Sequence, residues 1–128
     1  MDDPLYREEI LDHYYSSPYR GRIERPDCAC DLDNPLCGDR IHVELAVGDG
    51  DRIQEVRFDG KGCVISQAAT SLLAEHLEGA SVDDALKITP ADVVRLLGMP
   101  LTPTRMKCGL LGWKAIQQAL TRRDPAPI

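Results

Sequence analysis

The stretch Asp39-Arg40-Ile41-His42-Val43-Glu44-Leu45-Ala46-Val47-Gly48-Asp49-Gly50-Asp51-Arg52-Ile53-Gln54-Glu55-Val56-Arg57-Phe58-Asp59 decides the fold. Ile41, Val43, Leu45 and Val47 alternate with Arg40, His42, Glu44 and Ala46, the period of two expected of a strand with one buried face. Asp49-Gly50 is a favoured pair for a two-residue type I′ turn, and β-prone residues resume from Ile53 to Phe58. An antiparallel hairpin over 39–59 is therefore predicted. A two-residue turn sets Ile41 opposite Phe58 and Val43 opposite Val56. Leu45 then faces Gln54 instead of Ile53, so a bulge or an altered turn is expected between Gly48 and Ile53.

Outward from the hairpin the apolar spacing becomes helical. Ile65, Ala68, Ala69, Leu72, Leu73, His76 and Leu77 share one face of a helix that Gly79 should end. Ser81-Val82-Asp83-Asp84 and Thr89-Pro90-Ala91-Asp92 read as capping boxes for two short helices, the second stopped by Gly98. Leu5 to Tyr15 and Leu110 to Leu120 give a first and a last amphipathic helix, with Trp113 on the border of the latter. Gly21 to Pro35 reads as a long surface loop carrying Cys28 and Cys30, and Pro100 to Met106 as an extended connector. The predicted fold is α+β: a small antiparallel sheet packed against about five helices in a single domain over 1–128, with a core of about 5–120 and a flexible tail over 121–128.

Composition narrows the function classes. A chain of 128 residues suits one core that buries roughly two-thirds of the unfolded surface. A net charge of −6 argues against nucleic acid, whose phosphates demand clustered Lys and Arg. No apolar run approaches the roughly 20 residues needed to cross a bilayer, and Met1-Asp2-Asp3-Pro4 lacks the plan of a signal peptide. A cytoplasmic protein with no membrane partner is expected. Five cysteines in a reducing compartment point to metal ligands, reactive thiols or core residues ahead of disulfides.

The hairpin register places Asp39 opposite Gly60 and Cys37 opposite Gly62, with paired strands about 5 Å apart. Cys37, Asp39 and Cys63 become neighbours. Cys63 is expected to open the helix after the hairpin and Cys108 to open the last helix, where unpaired N–H groups favour a thiolate. Three thiolates and one carboxylate form a four-coordinate set for Zn²⁺, and the same set suits iron and sulfide. Aspartate is the more easily displaced ligand, so Asp39 is an exchangeable corner. The alternative is that the cysteines are small core residues; the close-approach glycines Gly38, Gly60 and Gly62 weigh against it. The residues by themselves lead as far as a Cys₃Asp metal or thiol site.

Three strings then become recognisable: Asn34-Pro35-Leu36-Cys37-Gly38-Asp39, Gly60-Lys61-Gly62-Cys63-Val64-Ile65-Ser66, and Arg105-Met106-Lys107-Cys108-Gly109-Leu110-Leu111-Gly112-Trp113. In this order they resemble the IscU, SufU and NifU family of iron-sulfur cluster assembly proteins, and Leu5-Tyr6-Arg7 through Asp12-His13-Tyr14 is similar to that family's first helix. The resemblance runs from about residue 5 to 120. It implies that Cys37, Asp39, Cys63 and Cys108 are metal ligands, with one Zn²⁺ per chain or a [2Fe-2S] cluster held by Cys37, Cys63 and Cys108. It also implies a pyridoxal-phosphate-dependent cysteine desulfurase as partner and a downstream acceptor. Lys107 stands where scaffold members carry His, which resembles the zinc-binding SufU-like branch. That branch's insertion between the second and third cysteines is missing, the interval being a scaffold-like 45 residues. Met99-Pro100-Leu101-Thr102-Pro103-Thr104-Arg105 only partly matches the segment that scaffold members show to a chaperone.

Three functions follow as expectations. In the first, Cys37 accepts persulfide sulfur while Asp39, Cys63 and Cys108 retain zinc, and Arg105 pairs with Asp39 during ligand exchange. In the second, the same residues carry a [2Fe-2S] cluster for transfer. The third, from another class, is a structural zinc-stabilised interaction module. Whether the chain is a sulfurtransferase-like catalyst or a non-enzymatic scaffold is left open by the residues. Cys28-Ala29-Cys30 is read as an incidental surface pair, against a redox or metal-relay pair. His13, His42 and His76 are read as packing or surface residues.

Overall fold

The computed structural model describes residues 8–35 and 38–122. Its elements in chain order are α1 (Glu8–Tyr15), β1 (Cys28–Asn34), β2 (Asp39–Gly48), β3 (Arg52–Lys61), α2 (Val64–Leu77), α3 (Val82–Leu86), α4 (Pro90–Leu97), α5 (Pro103–Gly109) and α6 (Leu111–Arg122). The α+β prediction holds, with six helices among the described residues beside a three-stranded antiparallel sheet ordered β1-β2-β3. No helix among the described residues is long and apolar enough to cross a membrane. The predicted tail and the start of the first helix lie largely outside the described residues.

The hairpin forms, but two residues out of the expected register: Val43 pairs with Phe58 and Leu45 with Val56. A step of two keeps every side chain on its face, so the apolar alternation could not distinguish the registers. The difference arises at the turn. Asp49, Gly50 and Asp51 make a three-residue turn, with Gly50 and Asp51 in the left-handed region, in place of a two-residue turn at Asp49-Gly50. A bulge does occur, but just outside the expected span, between Ala46 and Val47, and it brings Ile53 opposite Val47 and into the core.

A third strand corrects the reading of Gly21 to Pro35 as a loop. Cys28–Asn34 pairs with β2, setting Cys30 against Val43 and Leu32 against Ile41. Helix α6 packs on β1 and β2, while α2 packs on β3, α1 and α6. The buried residues Ile41, Val43, Leu45, Val56 and Phe58 meet Ile65, Leu73, Ala115 and Ile116 in the core. Burial of this kind contributes about 25 cal/mol per Å² of apolar surface removed from water.

Of the two capping boxes expected, the second forms in full and the first only as its N-cap half. Ser81 accepts from the Asp84 N–H, and the full Thr89/Asp92 box opens α4 with Pro90 in its first turn. The connector reading fails from residue 103 onward: Thr102 caps a helix that begins at Pro103 and ends at Gly109. Cys108 is therefore at the end of α5 and does not open the last helix. Trp113 is half-buried and its indole N–H donates to the Ile88 carbonyl at 2.8 Å, which ties α6 to the turn before α4.

Candidate metal centre

Asp39, at the start of β2, is 1% exposed although it carries a carboxylate. Two features hold it there. The Cys63 backbone N–H donates to its Oδ1 at 2.9 Å, and the Cys63 thiol faces its Oδ2 at 3.7 Å. Gly62 makes the approach possible: its φ is +142°, and a Cβ at this position would lie 2.0 Å from Asp39 Oδ1. Only glycine fits both the backbone conformation and the space.

Cys63 is the N-cap of α2, as expected, and is exposed. Cys108 reaches the same point from α5 and is 5% exposed. One carboxylate oxygen of Asp39 and the sulfurs of Cys63 and Cys108 all lie within 4.8 Å of one another. The end of the β2/β3 hairpin, the first residue of one helix and the last turn of another thus bring together three of the four expected ligands. The fourth, Cys37, lies outside the described residues, as does Leu36.

The arrangement can hold a cation. A carboxylate almost fully withdrawn from water is costly unless its charge is offset, and among the described residues no salt bridge joins Arg105 to Asp39. Arg105 is exposed, on the first turn of α5, where its N–H bonds the Thr102 hydroxyl. Lys107 is exposed beside Cys108. Two thiols and a carboxylate are donors suited to zinc or to an iron-sulfur cluster.

The other cysteines do not join this group. Cys30 is 6% exposed, and its sulfur approaches Gln118 Oε1 at 3.7 Å. Burial pushes its thiol pKa up, with the Asp31 charge adding and Arg122 opposing. The reading of Cys28 and Cys30 as surface residues is corrected: Cys30 is core, and half-buried Cys28 packs against the core beside it.

Two polar networks went unread in the sequence. His13 Nδ1 contacts Ser71 Oγ at 2.7 Å, Ser71 Oγ contacts Ser17 Oγ at 2.6 Å, and His13 Nε2 lies 3.4 Å from Glu75. The order resembles a serine-hydrolase triad, but Ser71 is fully buried, so the network ties α1 to α2 and offers no nucleophile to solvent. On the outer sheet face, His42 bridges Asp31 and Glu44 at 2.8 Å each, and Glu44 also accepts from the Ile23 N–H and Arg22. Burial works to raise the Glu44 pKa, yet the bonds from Ile23, His42 and Arg22 outweigh it and leave the carboxyl below its ordinary value. The signal for this second network was present in the sequence, since His42 and Glu44 share the polar face of β2.

The chain is 30% identical over 139 residues to the zinc-dependent sulfurtransferase SufU of Bacillus subtilis, covering 95% of this chain and 93% of that protein. It is 32% identical over 134 residues to the iron-sulfur cluster assembly scaffold protein IscU of Thermotoga maritima, covering 92% of this chain and 94% of the other. The crystal structure of a putative iron-sulfur cluster assembly scaffold protein for the SUF system from Fervidobacterium islandicum superposes with a TM-score of 0.74 at 29% identity, covering 91% of this chain and 96% of its own. The family model described as the NifU-like N terminal domain matches residues 5–124, and the chain belongs to that family.

Proposed function

We propose that the chain serves iron-sulfur cluster assembly by accepting persulfide sulfur from a pyridoxal-phosphate-dependent cysteine desulfurase, with Cys37 as acceptor and Asp39, Cys63 and Cys108 as the retained ligands of a Cys₃Asp zinc site. The observation that carries this reading is the convergence of a buried carboxylate and two thiols within 4.8 Å. A relative that is a zinc-dependent sulfurtransferase supports it. Zinc, when bound, supplies positive charge that favours thiolates and offsets the buried carboxylate.

The chain's own residues supply the rest. Asp39 is held by the Cys63 N–H, so the carboxylate keeps its place while the ligand set changes. The Cys37 thiolate attacks the outer sulfur of the desulfurase persulfide; a new S–S bond forms at Cys37, the old one breaks, and the desulfurase cysteine leaves as thiolate. The exchange is isoelectronic and needs no added oxidant. Arg105 is placed on the same helix as Cys108, and its guanidinium would pair with Asp39 as Cys37 departs. Cys37→Ala should abolish stimulation of the desulfurase while leaving the far-UV circular dichroism unchanged, and full stimulation by that variant would end this reading.

A second reading is favoured by the 45-residue interval between Cys63 and Cys108 and by the likeness to an IscU scaffold. In it, a [2Fe-2S] cluster is cargo, assembled on the same residues and passed to an acceptor. Anaerobic reconstitution separates the two. Visible absorbance with transfer to an apo-ferredoxin supports the scaffold, whereas one zinc per chain that resists replacement supports the sulfur acceptor.

A further inference from the structure

Beside the metal centre, between the end of α1, the end of β3 and the start of α2, lies an open cavity of about 500 Å³. Tyr14, Tyr15, Arg20, Lys61, Gly62 and Gln67 line it, together with Gly60. Its volume is within the range of small-molecule sites. The chemistry of the lining is unlike the rest of this acidic chain. It holds a guanidinium, an ammonium, two phenols and a carboxamide, and among the described residues no carboxylate lines it. The neighbouring cavities that share Lys61 each carry two carboxylates, Asp31 with Asp59 in one and Asp33 with Asp39 in the other. Lys61 is thus shared with both carboxylate-lined cavities, whereas Arg20 lines this cavity alone of the three.

Arg20 is held in position ahead of any ligand. Its guanidinium sits 4.8 Å from the Phe58 ring centroid, and it donates to Gln67 Oε1 at 3.2 Å and to the Gly60 carbonyl at 3.5 Å. Gln67 is itself 1% exposed and donates to Ser66 Oγ at 3.3 Å, so the acceptor that orients Arg20 is fixed from behind. An arginine oriented in this way loses little freedom when a planar anion binds it. Lys61 is exposed and adds a second, mobile charge. Tyr15, 75% exposed, stands edge-on to Tyr14 with ring centroids 4.7 Å apart and gives the mouth an amphipathic wall.

We infer that this cavity binds a small organic carboxylate, anchored by Arg20 and Lys61, with its apolar body against Tyr14 and Tyr15. Because Gly62 is both a wall of the cavity and the residue before Cys63, the bound acid lies next to the candidate metal centre. The inference needs neither a metal nor a sulfur-transfer role, and it can fail or stand apart from them.

The test is a titration of the zinc-loaded chain with succinate, followed by the amide resonances of Tyr14, Lys61, Gly62 and Gln67. Saturable shifts confined to this cavity are expected, with a Kd on the order of millimolar for so small an anion. Succinamide, of the same shape without the charge, should bind at least roughly tenfold more weakly, as should succinate to Lys61→Gln and to Arg20→Gln. Lys61→Gln is the cleaner variant, since an exposed lysine can be exchanged without disturbing the core. S-methylcysteine in the same titration distinguishes two sources of the carboxylate: binding tighter than succinate points to a sulfur-containing amino acid, weaker binding to a sulfur-free acid. No saturable shift up to tens of millimolar, an equal response to succinamide, or unchanged affinity in both variants would overturn the inference.

Discussion

Cys28 and Cys30 on one side of the sheet and Cys63 and Cys108 at its end show how little the cysteine itself decides. Cys30 and Cys108 are almost equally buried, at 6% and 5% exposure. What differs is the company: Cys30 packs among apolar side chains and approaches Gln118, whereas Cys108 shares its space with a buried carboxylate and a second thiol. Burial among apolar groups makes a thiol an inert small hydrophobe. Burial beside Asp39 and a second thiol places it where it could serve as a donor.

The comparison breaks most decisively at Asp39. In Asp39→Ala, zinc measured by atomic absorption should fall from one per chain to close to none, whereas Cys30→Ala should retain it. A variant of Asp39 that kept stoichiometric zinc would remove the carboxylate from the set. Next in size is Gly62→Ala, in which the new methyl meets Asp39 in a backbone conformation that favours glycine. A loss of about 1–3 kcal/mol in chemical denaturation is expected, together with weakened metal retention.

The pH response sharpens the same contrast on the outer face of the sheet. Hydrogen bonds hold the folded Glu44 carboxyl below its ordinary value of 4.5, so its stabilising contribution is complete above that value and is lost as pH falls through the lower folded value. Melting curves of wild type and Glu44→Gln should therefore differ at pH 7 and converge on acidification below about pH 4. The smallest effect belongs to Cys30→Ala, expected to cost about 1 kcal/mol as a small core truncation. In the native chain Cys30 should also be alkylated more slowly than Cys63, because burial raises its thiol pKa and blocks access while Cys63 is exposed.

The sequence made some of this legible and hid the rest for identifiable reasons. Strict alternation revealed β2, β-prone residues after an Asp-Gly pair revealed β3, and hydroxyl caps with downstream acids revealed α3 and α4, because those signals are local. The register escaped by two residues, since one extra turn residue and a bulge change pairing without changing which face is apolar. Strand β1 is hidden because, although Cys28, Cys30 and Leu32 alternate with Ala29, Asp31 and Asp33, aspartates and small side chains weaken the pattern, and pairing with β2 overrides propensity. Helix α5 was lost between Pro100 and Pro103, although Thr102 before Pro103 is an N-cap followed by a proline in the first turn. Missing it put Cys108 at the wrong end of a helix. Asp39, Cys63 and Cys108 nevertheless lie within 4.8 Å of one another, because the close approach at Gly62 constrains them more tightly than helix boundaries do.

The bond from the Cys63 amide to Asp39 Oδ1 joins two jobs in one residue. Cys63 caps the start of α2, and the same residue presents a sulfur and anchors the neighbouring oxygen. Fraying of that first turn would therefore break the hydrogen bond that steadies Asp39 and displace the Cys63 sulfur in a single movement.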